Sequence, residues 1–263
     1  MTNLHLILNF FRHFLSAKRN GHGVHSPFAF ALCEEVFYNR HEFYDFESLK
    51  LTRNLLLKNS TKITVTDFGA GSKFLNSNSR SIKDIAGGGI SSTLQSEIFY
   101  KLINYLKFET VIELGTSIGL NTLYLSKSNP SGKVISIEGS KSLTDFSREL
   151  ARKHKISNIQ FVNGKFDDVL PGILSTVKNP FLLYVDGNHS YNATVNYFNM
   201  ALQKKENDAV IILDDIYWSS GMTKAWEEIK KNDAVTLSID AFYFGLVFFR
   251  TEQKEKIALT IFL

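Results

Sequence analysis

The chain has 263 residues, 44% hydrophobic and 21% charged, which is ordinary globular usage and enough to bury a sizeable core. Its net charge of +4 is spread over scattered Lys and Arg, so no run has the character of a nucleic-acid arm and such a partner is disfavoured. The single cysteine, Cys33, excludes an internal disulfide, and no Cys/His cluster has zinc spacing, so a reducing, cytoplasmic home is expected.

The opening MTNLHLILNFFRHFLSAKRNG is apolar, interrupted by His5, Asn9 and Arg12, and too short to span a membrane. It reads as an amphipathic helix that docks on its own protein. In GHGVHSPF (21–28), His22 and His25 lack a carboxylate or cysteine companion in sequence, so the segment reads as a substrate-facing loop rather than a metal site. It leads into a helix with Ser26 as N-cap and Pro27 at the first helical position, where the missing N–H costs nothing. A polar, glycine-rich stretch from 71 to 92 reads as a mobile loop, and STLQSEIFYKLINYLK (92–107) as a further helix. Residues 1–94 are thus expected to form a helical cap with a mobile loop, and 95–263 the main domain.

From about residue 108 short β-branched runs alternate with segments of helical period, the pattern of βαβ units. Strands are predicted at 109–114, 133–138, 158–162, 181–186 and 208–214, with helices near 120–128, 143–155, 166–175, 190–204 and 221–231. The runs 234–240 and 242–250 follow each other too closely for a parallel crossover and must form an antiparallel hairpin. The expected architecture is α/β: a Rossmann-like, doubly wound sheet of seven strands, five parallel plus the C-terminal hairpin, with an N-terminal helical cap. KIALTIFL at the end can extend a sheet edge or fold back as a strand.

Two glycine turns compete for a nucleotide-like cofactor. A Rossmann-type loop needs a strand before it, a helix starting at it, and an acid closing the next strand. The turn at 113–119 has all three, the acid being Glu138. DFGAGS (67–72) is followed by no helical period, and glycines 87–89 stand where the acid belongs, so it reads as a structural turn.

In ELGTSIG, Glu113, Gly115, Ser117 and Gly119 alternate in a way that resembles class I S-adenosylmethionine (SAM)-dependent methyltransferases of the catechol and caffeoyl-CoA O-methyltransferase type, over about residues 95–250. The resemblance implies that Glu113 organises the methionine end of SAM and that Gly115 and Gly119 admit the cofactor to the backbone. It further implies that Glu138 takes the ribose hydroxyls and that Asp167 or Asp168 lies near the adenine amino group. Thr116, Ser117, Gly139 and Asp186 complete the implied cofactor set, Ser117 standing where a glycine is usual.

Strands four and five end in LYVDGNHSY and IILDDIYWSSG, which put acids at the C-terminal rim where open α/β sheets bind ligands. The family's metal-dependent members hold Mg²⁺ there, which implies Asp186, Asp214 and Asp215 as ligands, with Asp215 replacing an Asn and His189 replacing a Lys. Hard carboxylate oxygens suit Mg²⁺, which lowers the pKa of an acceptor hydroxyl. Asp186, His189 and Asp214 are accordingly the candidate catalytic residues, with His189 as general base. The expected activity is O-methylation of a small molecule. The alternatives are a non-catalytic cofactor-binding protein and an RNA 2′-hydroxyl methyltransferase; base methylation is disfavoured because no Pro-Pro-aromatic motif follows Asp186. A homodimer is allowed.

Overall fold

The computed structural model describes residues 2–19, 23–66, 79–178, 180–205 and 208–263. In chain order come α1 (Thr2–Ser16), α2 (Pro27–Leu32), a π-helical turn (Cys33–Phe37), α3 (Tyr44–Leu57), β1 (Lys62–Thr64), β2 (Ser79–Ser81), α4 (Ile82–Gly88) and α5 (Thr93–Leu106). The alternating part follows as β3 (Thr110–Leu114), α6 (Leu120–Ser128), β4 (Lys133–Glu138), α7 (Lys141–Lys153), β5 (Ile159–Asn163), α8 (Phe166–Thr176) and β6 (Phe181–Val185). After it come α9 (Tyr191–Leu202), β7 (Val210–Asp214), α10 (Ser220–Lys231), β8 (Leu237–Asp240), β9 (Phe244–Phe248) and β10 (Ile257–Thr260). Two compact units result, Arg40–Ile173 and Met1–Asn39 with Leu174–Leu263.

In the Arg40–Ile173 unit, β4 lies between β3 and β5, all parallel, with Glu113 opposite Ser136 and Glu138 opposite Asn163. The core gathers Phe46, Leu49, Tyr100, Leu123, Tyr124 and Leu150. Ser92 and Gln95 form a capping box that starts α5, each side chain satisfying the other residue's backbone N–H. Part of the expected loop is ordered: β1 and β2 pair antiparallel, and Ser81 caps α4 by accepting from the Asp84 N–H. The reason is apolar burial, because Ile82, Ile85 and Ala86 enter the same core despite their polar surroundings. The DFGAGS turn and residues 71–78 lie outside the described residues.

In the other unit β6 and β7 are parallel, β9 runs antiparallel to both β7 and β8, and β10 joins β8 in parallel. The hairpin is as the short connector requires. β10 is an extra strand, so apart from the β1–β2 pair the strands number eight, β3–β5 in one unit and β6–β10 in the other, rather than the expected seven. The large buried side chains include Trp226, Tyr197, Phe198 and Phe248. Gly245 admits the Trp226 ring, since a Cβ there would lie 2.6 Å from it.

α1 belongs to this second unit. His13 anchors it: Nε2 lies 2.8 Å from the Ile261 carbonyl oxygen and Nδ1 3.1 Å from Asp240 Oδ1. His5 reaches Thr223 Oγ1 at 3.0 Å, and the Asn9 amide donates to the His5 carbonyl. The helix therefore packs on its own protein, but through a polar face.

Candidate active site

The Arg40–Ile173 unit carries the glycine turn. β3 delivers Glu113 to the interior, fully buried, and its carboxylate accepts from Asn121 Nδ2 (3.2 Å), Thr122 Oγ1 (2.6 Å) and Ser136 Oγ (2.5 Å). Thr116 Oγ1 extends the chain to Ser136 Oγ at 2.5 Å. Burial first, and then the nearby Glu138 charge, pushes the Glu113 carboxyl up to about 7 against these hydrogen bonds. Glu113 thus ties the start of α6 to β3 and β4 from behind the turn.

The turn needs three residues at positive φ, Gly115 at 108°, Ser117 at 50° and Gly119 at 79°. At Gly119 a Cβ would stand 2.7 Å from Ser147 Cβ, so conformation and space both require glycine. Ser117 sits in the left-handed region at a cost on the order of 1 kcal/mol, which explains why glycine is usual there. Its N–H donates to Glu138 Oε2 at 2.9 Å, and Ser147 Oγ donates to its carbonyl at 3.0 Å.

Glu138 ends β4 half-buried, with Oε1 accepting the Ser140 N–H at 2.9 Å. Two backbone donors therefore orient this carboxylate. Asn163, which sequence reasoning missed, donates to the Glu138 carbonyl (2.8 Å) and the Gly139 carbonyl (2.9 Å). The β4–β5 register that sets Asn163 opposite Glu138 was the only signal available for it. Asp167 and Asp168 are exposed in the first turn of α8, a favourable place for negative charge at a helix N-terminus. The Gly164 N–H donates to the Glu138 carbonyl and holds the segment before that helix beside the end of β4.

The second unit gathers the acids that end β6 and β7. Tyr184, also missed from sequence, lies 2.9 Å from Asp186 Oδ2 and 2.8 Å from Asp214 Oδ2 through its hydroxyl. One hydroxyl proton cannot serve both oxygens, so a second proton must sit on a carboxyl for both hydrogen bonds to form. Asp214 suits that proton: burial, then the negative charges of Asp186 and Asp215, raises its carboxyl well above the usual range. His189 Nε2 stands 3.7 Å from Asp186 Oδ1 and 3.9 Å from Asp215 Oδ2. Asp215, at φ 53°, has its N–H on the Tyr243 carbonyl, and burial raises its carboxyl against the effect of His189.

The three carboxylates expected to bind Mg²⁺ thus lie in one cluster, but tyrosine and histidine groups stand between their oxygens. Among the described residues no group of three or more His, Cys, Asp and Glu is arranged to hold a metal ion. Of the aromatic residues beside these segments, Phe244 is core and Tyr217 donates to Asp240 at 2.6 Å, while Trp218 and Tyr243 are exposed. His25 is exposed next to the capping Ser26, and His22 lies outside the described residues.

Residues 112–216 match the family model described as a methyltransferase domain. Among solved structures, the chain is similar to the Bacillus cereus O-methyltransferase in complex with S-adenosylhomocysteine (SAH), at TM-score 0.56 and 17% identity over 80% of this chain and 92% of that one. It is similar also to the O-methyltransferase TomG of Streptomyces achromogenes, involved in tomaymycin synthesis and in complex with SAM, at TM-score 0.54 and 20% identity over 61% and 82% of the two chains. An SAH-bound methyltransferase of Podospora anserina aligns at TM-score 0.53 and 14% identity, over 81% of this chain and 99% of that one. No curated protein matches by sequence. The class is therefore that of the methyltransferase fold, with a methyltransferase domain at 112–216.

Proposed function

We propose that the protein is a SAM-dependent O-methyltransferase acting on a small-molecule hydroxyl. The observation that carries this reading is Glu138, an acid at the end of β4 that is oriented by the N–H groups of Ser117 and Ser140 beside a turn of positive φ. SAM fits these residues. Glu138 suits the ribose hydroxyls, with Gly139 beside it, Gly115, Thr116 and Gly119 shape the turn, and Asp167 or Asp168 suits the adenine amino group. Asn121 Oδ1, buried without a hydrogen-bond partner in this structure, is an acceptor suited to an ammonium donor. Glu113 acts by holding the turn rather than by touching the ligand.

When bound, SAM supplies a methyl group on a sulfonium, open to in-line displacement. Around the acceptor, His189, which stands beside Asp186 and Asp215, takes the hydroxyl proton. Tyr184 holds Asp186 in place by tying it to Asp214. Mg²⁺, which the resemblance implies over Asp186, Asp214 and Asp215, does not fit side chains already engaged in this way. The reducing interior expected from cysteine usage suits Cys33, which is buried, with its thiol pushed up to about 11 chiefly by burial. We accordingly place the protein in the cytoplasm.

Calorimetric titration with SAH, with NADH as control, tests the reading. SAH alone is expected to bind, and Glu138→Ala to weaken it by about tenfold or more, the loss of a charged hydrogen-bonding group. Absence of SAH binding would remove the assignment. A SAM-dependent screen of hydroxylated acceptors then reports on the reaction.

A further inference from the structure

α1 is turned inside out with respect to its own protein. A surface helix ordinarily buries its apolar stripe and shows its polar face to water. Here His5, Asn9 and His13, spaced four apart, face the protein: His5 and His13 through the contacts described above, and Asn9 buried between them. The apolar residues face outward, with Leu15 83% exposed, Leu4 64% and Phe11 59%.

At about 100° per residue, the exposed side chains run from Leu6 at one edge through Phe14, Ile7, Phe11 and Leu4 to Leu8 at the other, an arc of roughly 200°. The patch continues past the helix: Phe10 meets the Phe242 ring edge-on at 5.2 Å, and the neighbouring Tyr243 is 60% exposed.

Two observations identify what covers this face. One is its width, because a single partner helix covers a stripe of about 100°, whereas a fluid apolar phase covers a protruding ridge on both flanks. The other is charge. Residues 1–33 contain no Asp or Glu, and Arg12, Lys18 and Arg19 lie on and just after the helix. The Arg19 guanidinium sits over the Phe14 and Phe262 rings at 5.0 and 5.1 Å, at the rim of the patch. Anionic headgroups would neutralise these cations. No helix among the described residues is long and apolar enough to cross a membrane, so the helix would lie in the plane of the interface.

We propose that α1 is an interfacial anchor that docks the protein on an anionic lipid surface. The inference is independent of the methyltransfer reading.

Flotation of the full-length protein with phosphatidylcholine vesicles, with and without phosphatidylglycerol, tests it. Co-flotation is expected with the phosphatidylglycerol vesicles, weakened by salt. The variant Phe11→Ser/Leu15→Ser should lose at least about tenfold in partition with unchanged circular dichroism and thermal unfolding, because both side chains are already exposed. No flotation, equal flotation on phosphatidylcholine alone, or flotation unchanged in the variant would overturn the proposal. Sedimentation equilibrium showing a dimer that the variant dissociates, without flotation, would assign the face to a second copy instead.

Discussion

Glu113 and Glu138 are acids on neighbouring strands with opposite surroundings. Glu113 is sealed in the interior beneath three side-chain donors, whereas Glu138 is half-buried at a strand end and held by backbone N–H groups. A carboxyl raised to about 7 in the fold, against about 4.5 in the unfolded chain, favours the protonated native state. Its contribution to stability is therefore complete below pH 4.5 and is lost as pH rises to 7. Glu113→Gln should abolish this slope, so the melting temperature of the wild type relative to the variant should be higher at acid than at alkaline pH. A constant difference would mean that Glu113 titrates normally. Tyr184 admits a similar test, since Tyr184→Phe keeps the buried ring and removes the hydroxyl between Asp186 and Asp214. We expect kcat to fall by about tenfold, part of the 10²–10⁴ usual for a general base, with KM for SAM unchanged. Equal kcat would release Tyr184 from any positioning role.

The βαβ elements form where sequence patterning puts them because each carries a strong local signal: a β-branched run, a capping residue, an acid at a strand end. Ser190 and Ser219 cap α9 and α10 by accepting from the N–H groups of Ala193 and Met222. α1 shows the limit of such reading. Its periodicity predicts a helix, but not which side is anchored, because His5 and His13 find their partners more than 200 residues away. His13 is 3% exposed, and its loss leaves the Ile261 carbonyl without its Nε2 partner and removes the Nδ1 contact to Asp240. Asp240 keeps Tyr217, the Trp226 indole and the Phe242 N–H, which limits the damage. His13→Ala should destabilise by about 2 kcal/mol in denaturant unfolding, whereas Leu15→Ser should leave stability within about 0.5 kcal/mol. The reverse order would mean that α1 is held by its apolar face.

For the whole molecule, Glu113, Gly115, Gly119, Glu138, Asp167 and Asp168 belong to one compact unit, and Asp186, His189, Asp214 and Asp215 to the other. In the second unit the Tyr184 hydroxyl engages Asp186 and Asp214, His189 stands beside Asp186 and Asp215, and among the described residues no group of three or more His, Cys, Asp and Glu is arranged to hold a metal ion. Methyl transfer should consequently persist in EDTA. Loss of activity restored by Mg²⁺ would return Asp186, Asp214 and Asp215 to the ligand set and require their side chains to turn away from Tyr184 and His189. The likeness to solved methyltransferases at 14–20% identity is one of fold.

Sequence alone determined the alternating α/β order, the antiparallel terminal hairpin and the turn at 113–119, because each rests on contacts within a few residues or on connector length. It also marked Glu138, Asp186, His189 and Asp214 as rim residues, since strand ends in such sheets collect polar chemistry. Only the tertiary structure decided that Glu113 faces inward, that Asn163 holds the backbone at the end of β4 and Tyr184 bridges Asp186 and Asp214, that β10 adds an eighth strand, and that α1 shows its apolar side to water. Each of these depends on register or on partners distant in the chain, and no local pattern specifies which surface a segment will meet.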